Sequence, residues 1–554
     1  MISNRLGLKG KVRPYFFLVL IVGSLAQLAM IFPSGIFRKG GYQFWGAQFH
    51  DALWHVAVAH KIKDLSLENP IFSGEIIRNY HVLTNFVLAF ISKITGLSLF
   101  HVTYRVLPSI IAIATGILTF ILVNKVFKNQ RAAVWSMFFV YLGSNLAYVL
   151  PLFGLGSEML ETAMWVQQSV SVFNNLPLAT SIPIVLLAVI SLKFYLERKD
   201  KHYFIYTIVL FALLPSTKSH SSVFLLAFGI VGVWRFLTKR KYDLLILSSI
   251  AALLAYIIIS PTFHFGKQLI FEPGWFLRTM IEAPDRLNWQ DWTLRYQFYK
   301  AHNDIFNLAR FFTLAFLIFF VGNLGTRVIS VFGIPKFKSL FSDEINLLLV
   351  ISAIIFAAMP MLFLATGMAW NTIQFFYYFL LIVGIYSGVG MYKLVSKMKS
   401  IKLKWLFAII IILLTIPVNL YSLWFYYSHS ADSKIQGAYL ESLQKLSEVG
   451  RASDLILTLP TGTDAVEIAA FTGKTMYLGD RTQAIVTGHD YQGRFDAIIK
   501  AMDQEEDLIE LIDKHGIDWI FIKGSSPQII EDIGHRLSEF YISDNIKIYH
   551  VERI

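Results

Sequence analysis

Residues 15–62 read YFFLVLIVGSLAQLAMIFPSGIF, then a short RKGGYQFW link, then GAQFHDALWHVAVAHKI. The first segment is apolar and long enough to cross about 30 Å of hydrocarbon as a helix. The last places His50, Asp51 and His55 just beyond that helix. Arg5, Lys9, Lys11 and Arg13 precede the run. The positive-inside rule therefore puts the amino terminus in the cytoplasm and the His/Asp segment on the outer face.

Similar runs recur as far as Tyr427, which makes the chain a polytopic α-helical membrane protein rather than a soluble domain behind a signal peptide. Composition agrees: 55% of the 554 residues are hydrophobic and 16% charged, with a mean hydropathy of +0.55. After the first, spans are expected near 104–127, 132–153, 176–196, 203–215, 221–237, 244–263, 305–331, 345–366, 373–394 and 405–427, about eleven in all. The shortest, 203–215, needs a tilt, a break or local thinning of the bilayer. Segment 80–97 carries His81, Asn85, Ser92 and Lys93 and reads as an interfacial helix. Every loop then assigned to the inside is basic: Arg198, Lys199 and Lys201; Lys239, Arg240 and Lys241; Lys336 and Lys338; and five lysines between Lys393 and Lys404. The excess of 49 basic over 37 acidic residues thus follows topology and does not point to nucleic acid. Without cysteine, the chain has no disulfide, thiolate catalyst or cysteine metal site.

After Ser428 the pattern changes. Short apolar stretches such as DLILTL (454–459) and DWIFI (518–522) alternate with helical patterns such as DAIIKAMDQEEDLIELIDKHG (496–516). Residues 1–428 are expected to form the membrane domain and 429–554 a small extracytoplasmic α/β domain. The chain has no internal repeat, no P-loop and no GxGxxG leading into a helix.

Polar chemistry gathers on the expected outer face. Asp51 and His55 are four apart and share a helix face, with His50 beside them, an arrangement suited to taking a proton from a hydroxyl or holding a divalent cation. The plainer alternative is an N-capping Asp51 among histidines at headgroup level. LENPIFSGEIIRNYHVLTNFVLAFISKITGLS (67–98) leads from a Pro/Gly turn into a helix bearing Asn79, His81 and Asn85. GSEMLETAMW (156–165) offers Glu158 and Glu161, three apart, either to orient an acceptor or as a solvated helix face. TKSH (217–220) puts Lys218 and His220 at an outer helix end, as a phosphate seat or as a snorkelling lysine. In WNTIQFFYYF (370–379), Asn371 and Gln374 need polar partners, either sugar hydroxyls or a neighbouring helix. The loop from Glu272 to Arg295 interleaves charges with Trp275, Trp289 and Trp292, either as a substrate lid or as ordinary solvated residues.

The order of these pieces resembles the GT-C superfamily of membrane glycosyltransferases: an Asp-bearing short helix after span one, an ENP…G turn, a YH-led interfacial helix, and TG before the next span. AAFTGKTMYLGD (469–480) and a later GRF resemble the extracytoplasmic domains appended to bacterial GT-C-like proteins. The resemblance implies sugar transfer from a polyprenyl-phosphate donor to an extracytoplasmic acceptor, usually with inversion. It gives Asp51 the central catalytic position and Glu158 or Glu161 a supporting one. His50, His55, His81, Lys218, His220, Asn371 and Gln374 are the expected substrate contacts. Many members carry two adjacent acids where this chain has His50 and Asp51, so a divalent metal ion is only a candidate cofactor. The rival class is a transporter or lipid flippase. Such proteins place ionisable groups at the membrane midplane and often show internal repeats, whereas these spans carry few acidic residues in their interiors and show no repeat.

Overall fold

The structure, a computed structural model, describes residues 8–155, 160–263, 269–366, 369–459 and 465–553. The chain divides into two compact units: Met1–Met30, Pro108–Ile259 and Gly266–Ser430 form the first, and Ile31–Leu107, Ser260–Phe265 and Ala431–Ile554 the second. The segment after the first helix thus folds with the carboxyl-terminal residues.

The first unit is a helical membrane bundle, and the protein is a multi-pass membrane protein. Seven described helices are long and apolar enough to cross a membrane, or eight if the bent pair Gln130–Leu142 and Ala147–Phe153 counts as one span. Each of the eleven expected segments falls on a helix or on this pair, but several are shorter than expected. The first helix, Arg13–Ala29, stops before Pro33, and Gly35 then turns the chain at φ 66°. The segment expected at 203–215 lies on a 17-residue helix, Lys201–Thr217.

Polar side chains set the helix starts. Asn129, Asn175, Asp200 and Asp343 accept from Ala132, Leu178, His202 and Asn346 backbone N–H at 2.9, 3.0, 2.7 and 3.0 Å. Trp370–Lys397 is the central helix, with 94% of its most apolar window buried. Glycines let its neighbours approach: a Cβ at Gly388 would lie 2.0 Å from the Ser136 nitrogen, and one at Gly23 would lie 2.4 Å from the Tyr141 ring.

Among the described residues, the second unit contains two sheets. Ile36–Arg38, Gly41–Phe44 and Ser433–Gln436 form an antiparallel sheet, joining the segment after the first helix to the segment after the last. A five-stranded sheet runs in the order Thr475–Met476, Leu455–Leu459, Trp519–Lys523, Ile546–Val551, Leu537–Ile542; the first three are parallel and the rest antiparallel. LILTL is buried along its whole length, which explains its unbroken apolar run. Helix Leu83–Thr95 of the same unit ends at Gly96 in the left-handed conformation.

Candidate active site

Helix His50–Lys63 has Phe49 at its N-cap position without a side-chain cap, and Asp51 lies in its first turn. A carboxylate is favoured there by the positive end of the helix. The ENP turn has a structural task in this unit. Met476 and Gly479 donate backbone N–H to the Pro70 and Ile71 carbonyls at 2.9 Å each, and Ser73 N–H returns a bond to Met476 at 3.0 Å. Arg494, from the GRF motif, donates to the Ser73 and Tyr477 carbonyls at 2.7 and 2.6 Å, with its guanidinium 3.7 Å from the Phe72 ring centre. A Cβ at Gly479 would sit 2.6 Å from Met476 Sδ and 3.2 Å from Ile71 Cβ. The next residue, Asp480, caps helix Arg481–Val486 by accepting from Gln483 N–H at 2.8 Å.

These contacts bring Asp480 to His50. His50 Nε2 lies 2.7 Å from Asp480 Oδ2, and its Nδ1 lies 3.2 Å from Asp51 Oδ1. Two carboxylate acceptors require both ring nitrogens to donate, so His50 is an imidazolium. Hydrogen bonds to Asp480 first and Asp51 second push His50 up to about 10, against the opposing effect of burial. The Asp480 side chain is 0% exposed and the Asp51 side chain 50% exposed, so one carboxylate anchors the cation and the other faces outward. Asp51 Oδ2 makes no hydrogen bond to a described residue. The sequence reading missed Asp480. Its signal was the Gly-Asp pair directly after an apolar strand, at the carboxyl edge of a parallel sheet where sites gather.

His55 is buried, with Nδ1 3.2 Å from both the Tyr80 hydroxyl and Asn85 Nδ2. Asn85 also donates to the His55 carbonyl at 3.1 Å. His81 stacks on Tyr80 at 4.5 Å, and burial pushes the Tyr80 phenol up. Asn79 takes a positive φ of 50° at the turn before this pair.

The other expected site residues lie in the membrane unit. His220 Nε2 donates to the Asn371 carbonyl at 2.7 Å, and Gln374 donates to Asn371 Oδ1 at 3.2 Å while accepting from Asn175 at 3.3 Å. Lys218, two residues before His220, is buried. Glu161 is buried with both oxygens engaged: Oε1 accepts from Gln168 N–H at 3.2 Å and Oε2 from the Ser171 hydroxyl at 2.8 Å. Burial raises its carboxyl above the usual range. Glu158 lies outside the described residues. From the long loop, Arg286 lies between Trp165 and Trp370, 4.8 and 4.5 Å from their ring centres. Trp165 adopts φ 75°, a strained conformation for a bulky residue.

Among the described residues, no three His, Asp or Glu side chains converge as ligands for a metal ion. Asp51 and Asp480 share the His50 cation.

No known family's sequence model matches this chain, and no curated protein sequence does. Solved structures do match. The oligosaccharyltransferase AglB from Archaeoglobus fulgidus, in complex with an inhibitory peptide and a dolichol-phosphate, aligns with a TM-score of 0.52 at 12% identity, covering 93% of this chain and 70% of that one. The Archaeoglobus fulgidus oligosaccharyltransferase complexed with Zn and sulfate aligns with 0.55 at 14% identity, over 91% and 68%. The arabinofuranosyltransferase AftD from Mycobacteria aligns with 0.52 at 10% identity, over 98% and 40%. These are GT-C glycosyltransferases, and the chain has their fold.

Proposed function

We propose that this chain transfers a sugar from a polyprenyl-phosphate donor to an extracytoplasmic glycan, lipid or protein acceptor, with inversion at the anomeric carbon. The observation that carries the reading is the Asp51 carboxylate. It is half-exposed, held on one oxygen by His50, and stands in the first outer segment of a chain with the GT-C fold. In the proposed step, Asp51 Oδ2 takes the acceptor hydroxyl proton as the hydroxyl oxygen bonds to the anomeric carbon. The anomeric C–O bond to phosphate breaks, and its electron pair leaves on the polyprenyl phosphate. Proton transfer of this kind contributes about 10² to 10⁴ in rate. His50 fixes the direction of Asp51 through one N–H, and Asp480 fixes His50 through the other.

His55 and His81 flank Tyr80 as substrate contacts. In the membrane unit, Lys218, His220, Asn371 and Gln374 are the contacts for donor phosphate and sugar hydroxyls. We assign Glu161 a positioning role, since both its oxygens brace residues 168–171, and Glu158 the orientation of the acceptor. We assign catalysis to residues 1–428, of which 31–107 fold with the carboxyl-terminal residues, and 429–554 contribute Asp480. The basic loops support an amino terminus in the cytoplasm and residues 429–554 outside.

The test uses purified protein in lipid, radiolabelled polyprenyl-phosphate sugars and a cell-envelope acceptor extract. The expected result is label on acceptor. Donor crossing the bilayer uncleaved, or no reaction in an extract that serves a control enzyme, would place the chain with transporters or flippases.

A further inference from the structure

We propose that the second unit holds a separate binding cleft for an acidic oligosaccharide, at the end of its sheet opposite Asp480. The cleft has a volume of about 1030 Å³, at the upper end of the range for small-ligand sites. Its floor includes Leu455, Thr475 and Trp519. These are the first residues of the three parallel strands. Asp480 instead follows the end of the Thr475–Met476 strand, so the cleft lies at the amino ends of these strands and the His50 clamp beyond a carboxyl end.

The cleft wall is held in shape from within. Lys474, 2% exposed, donates to the Val449 and Arg451 carbonyls at 2.7 and 3.0 Å, fixing the 449–454 loop. Asp454 accepts from the Trp519 indole at 2.9 Å. Asp518 accepts from Leu455 N–H at 2.9 Å and from Arg553 at 2.7 Å. These carboxylates are therefore engaged.

On the rim, Arg451 and Lys514 are exposed and make no side-chain hydrogen bond or ion pair with a described residue. Glu539 is the opposing exposed acid, and Glu68, also in the lining, accepts from Gly74 N–H and the Thr475 hydroxyl at 3.1 and 3.2 Å, so Arg451 and Lys514 are the cations left uncommitted. Beside it, His550 and Phe540 pack on the Trp519 ring at 4.8 and 5.2 Å and present an aromatic surface. Cations for carboxylate or phosphate groups, next to aromatic faces for sugar rings, suit a hydroxylated chain bearing acidic groups. The inference does not depend on the glycosyl-transfer reading.

Binding is read without turnover, by calorimetry on the full chain in lipid nanodiscs at about 0.15 M salt, where weak surface attraction is screened. The probes are hexagalacturonate, neutral maltohexaose and hexaglutamate. Saturable binding of hexagalacturonate alone is expected. It should weaken at least about tenfold in Arg451→Glu/Lys514→Glu and in His550→Ala, and remain unchanged in Asp51→Asn. Both Arg451→Glu and Lys514→Glu change exposed side chains, and a melting curve on the same sample verifies the fold. Three results would overturn the proposal: no saturable binding to folded wild type, equal binding of maltohexaose or hexaglutamate, or binding indifferent to the charge reversals.

Discussion

Asp480→Asn removes one charge from the His50 clamp while keeping the shape of the side chain and its helix cap, since Asn caps as well as Asp. Raising an imidazole from 6.5 to about 10 corresponds to roughly 5 kcal/mol of coupling between the imidazolium and its surroundings. Asp480 supplies the larger of the two hydrogen bonds responsible, so its neutralisation should cost about 2–3 kcal/mol. The sign gives this loss a pH signature. A histidine raised on folding contributes its full stability below its unfolded value of 6.5 and loses it as pH rises through about 10. Wild type should therefore melt well above Asp480→Asn near about pH 6, less so near about pH 8, and with the gap closed near about pH 10. The assay is the melting midpoint of both proteins in nanodiscs at each pH. A gap that stays constant across this range, or widens with pH, would refute an imidazolium at position 50.

Three other substitutions probe the same framework. Arg494→Ala removes the bonds to Ser73 and Tyr477 and the stacking on Phe72; a loss of about 2–4 kcal/mol is expected, measured by thermal or denaturant unfolding. Glu161→Gln should leave transfer within about threefold of wild type, because the side chain positions a segment and moves no proton. Its raised carboxyl makes the wild type most stable below 4.5 and progressively less so as pH rises through the folded value. The variant should thus match wild type near about pH 4 and melt at or above it near about pH 7. Gly473→Ala places a Cβ 3.2 Å from His60 Nδ1 at a φ of 72°, and should cost about 1–2 kcal/mol on unfolding.

The spans and the His50–Asp51 pair could be read from the sequence because their signals are local. Apolar length, basic loops and capping residues such as Asn175 and Asp343 all lie within a few residues of the element they define. Helix ends were less legible: Arg13–Ala29 stops well short of the apolar run, and Ile36–Arg38 enters a sheet instead. Long-range pairing left no period to read. Gly41–Phe44 pairs with Ser433–Gln436, and His50 meets an acid 430 residues away. The turn 69–74 reads in the sequence only as a Pro/Gly break before a helix, whereas its backbone is paired with residues 476–479 and positions Asp480. Asp480 was not legible because it follows a strand only two residues long, too short to show a period.

The most direct test of the proposed chemistry is single-turnover sugar transfer by Asp51→Asn beside wild type, with donor binding measured in the same preparations. Loss of the transfer step by about 10² to 10⁴ with donor binding retained is the expected result. Transfer at the wild-type rate by folded Asp51→Asn would contradict the assignment of Asp51 as the base.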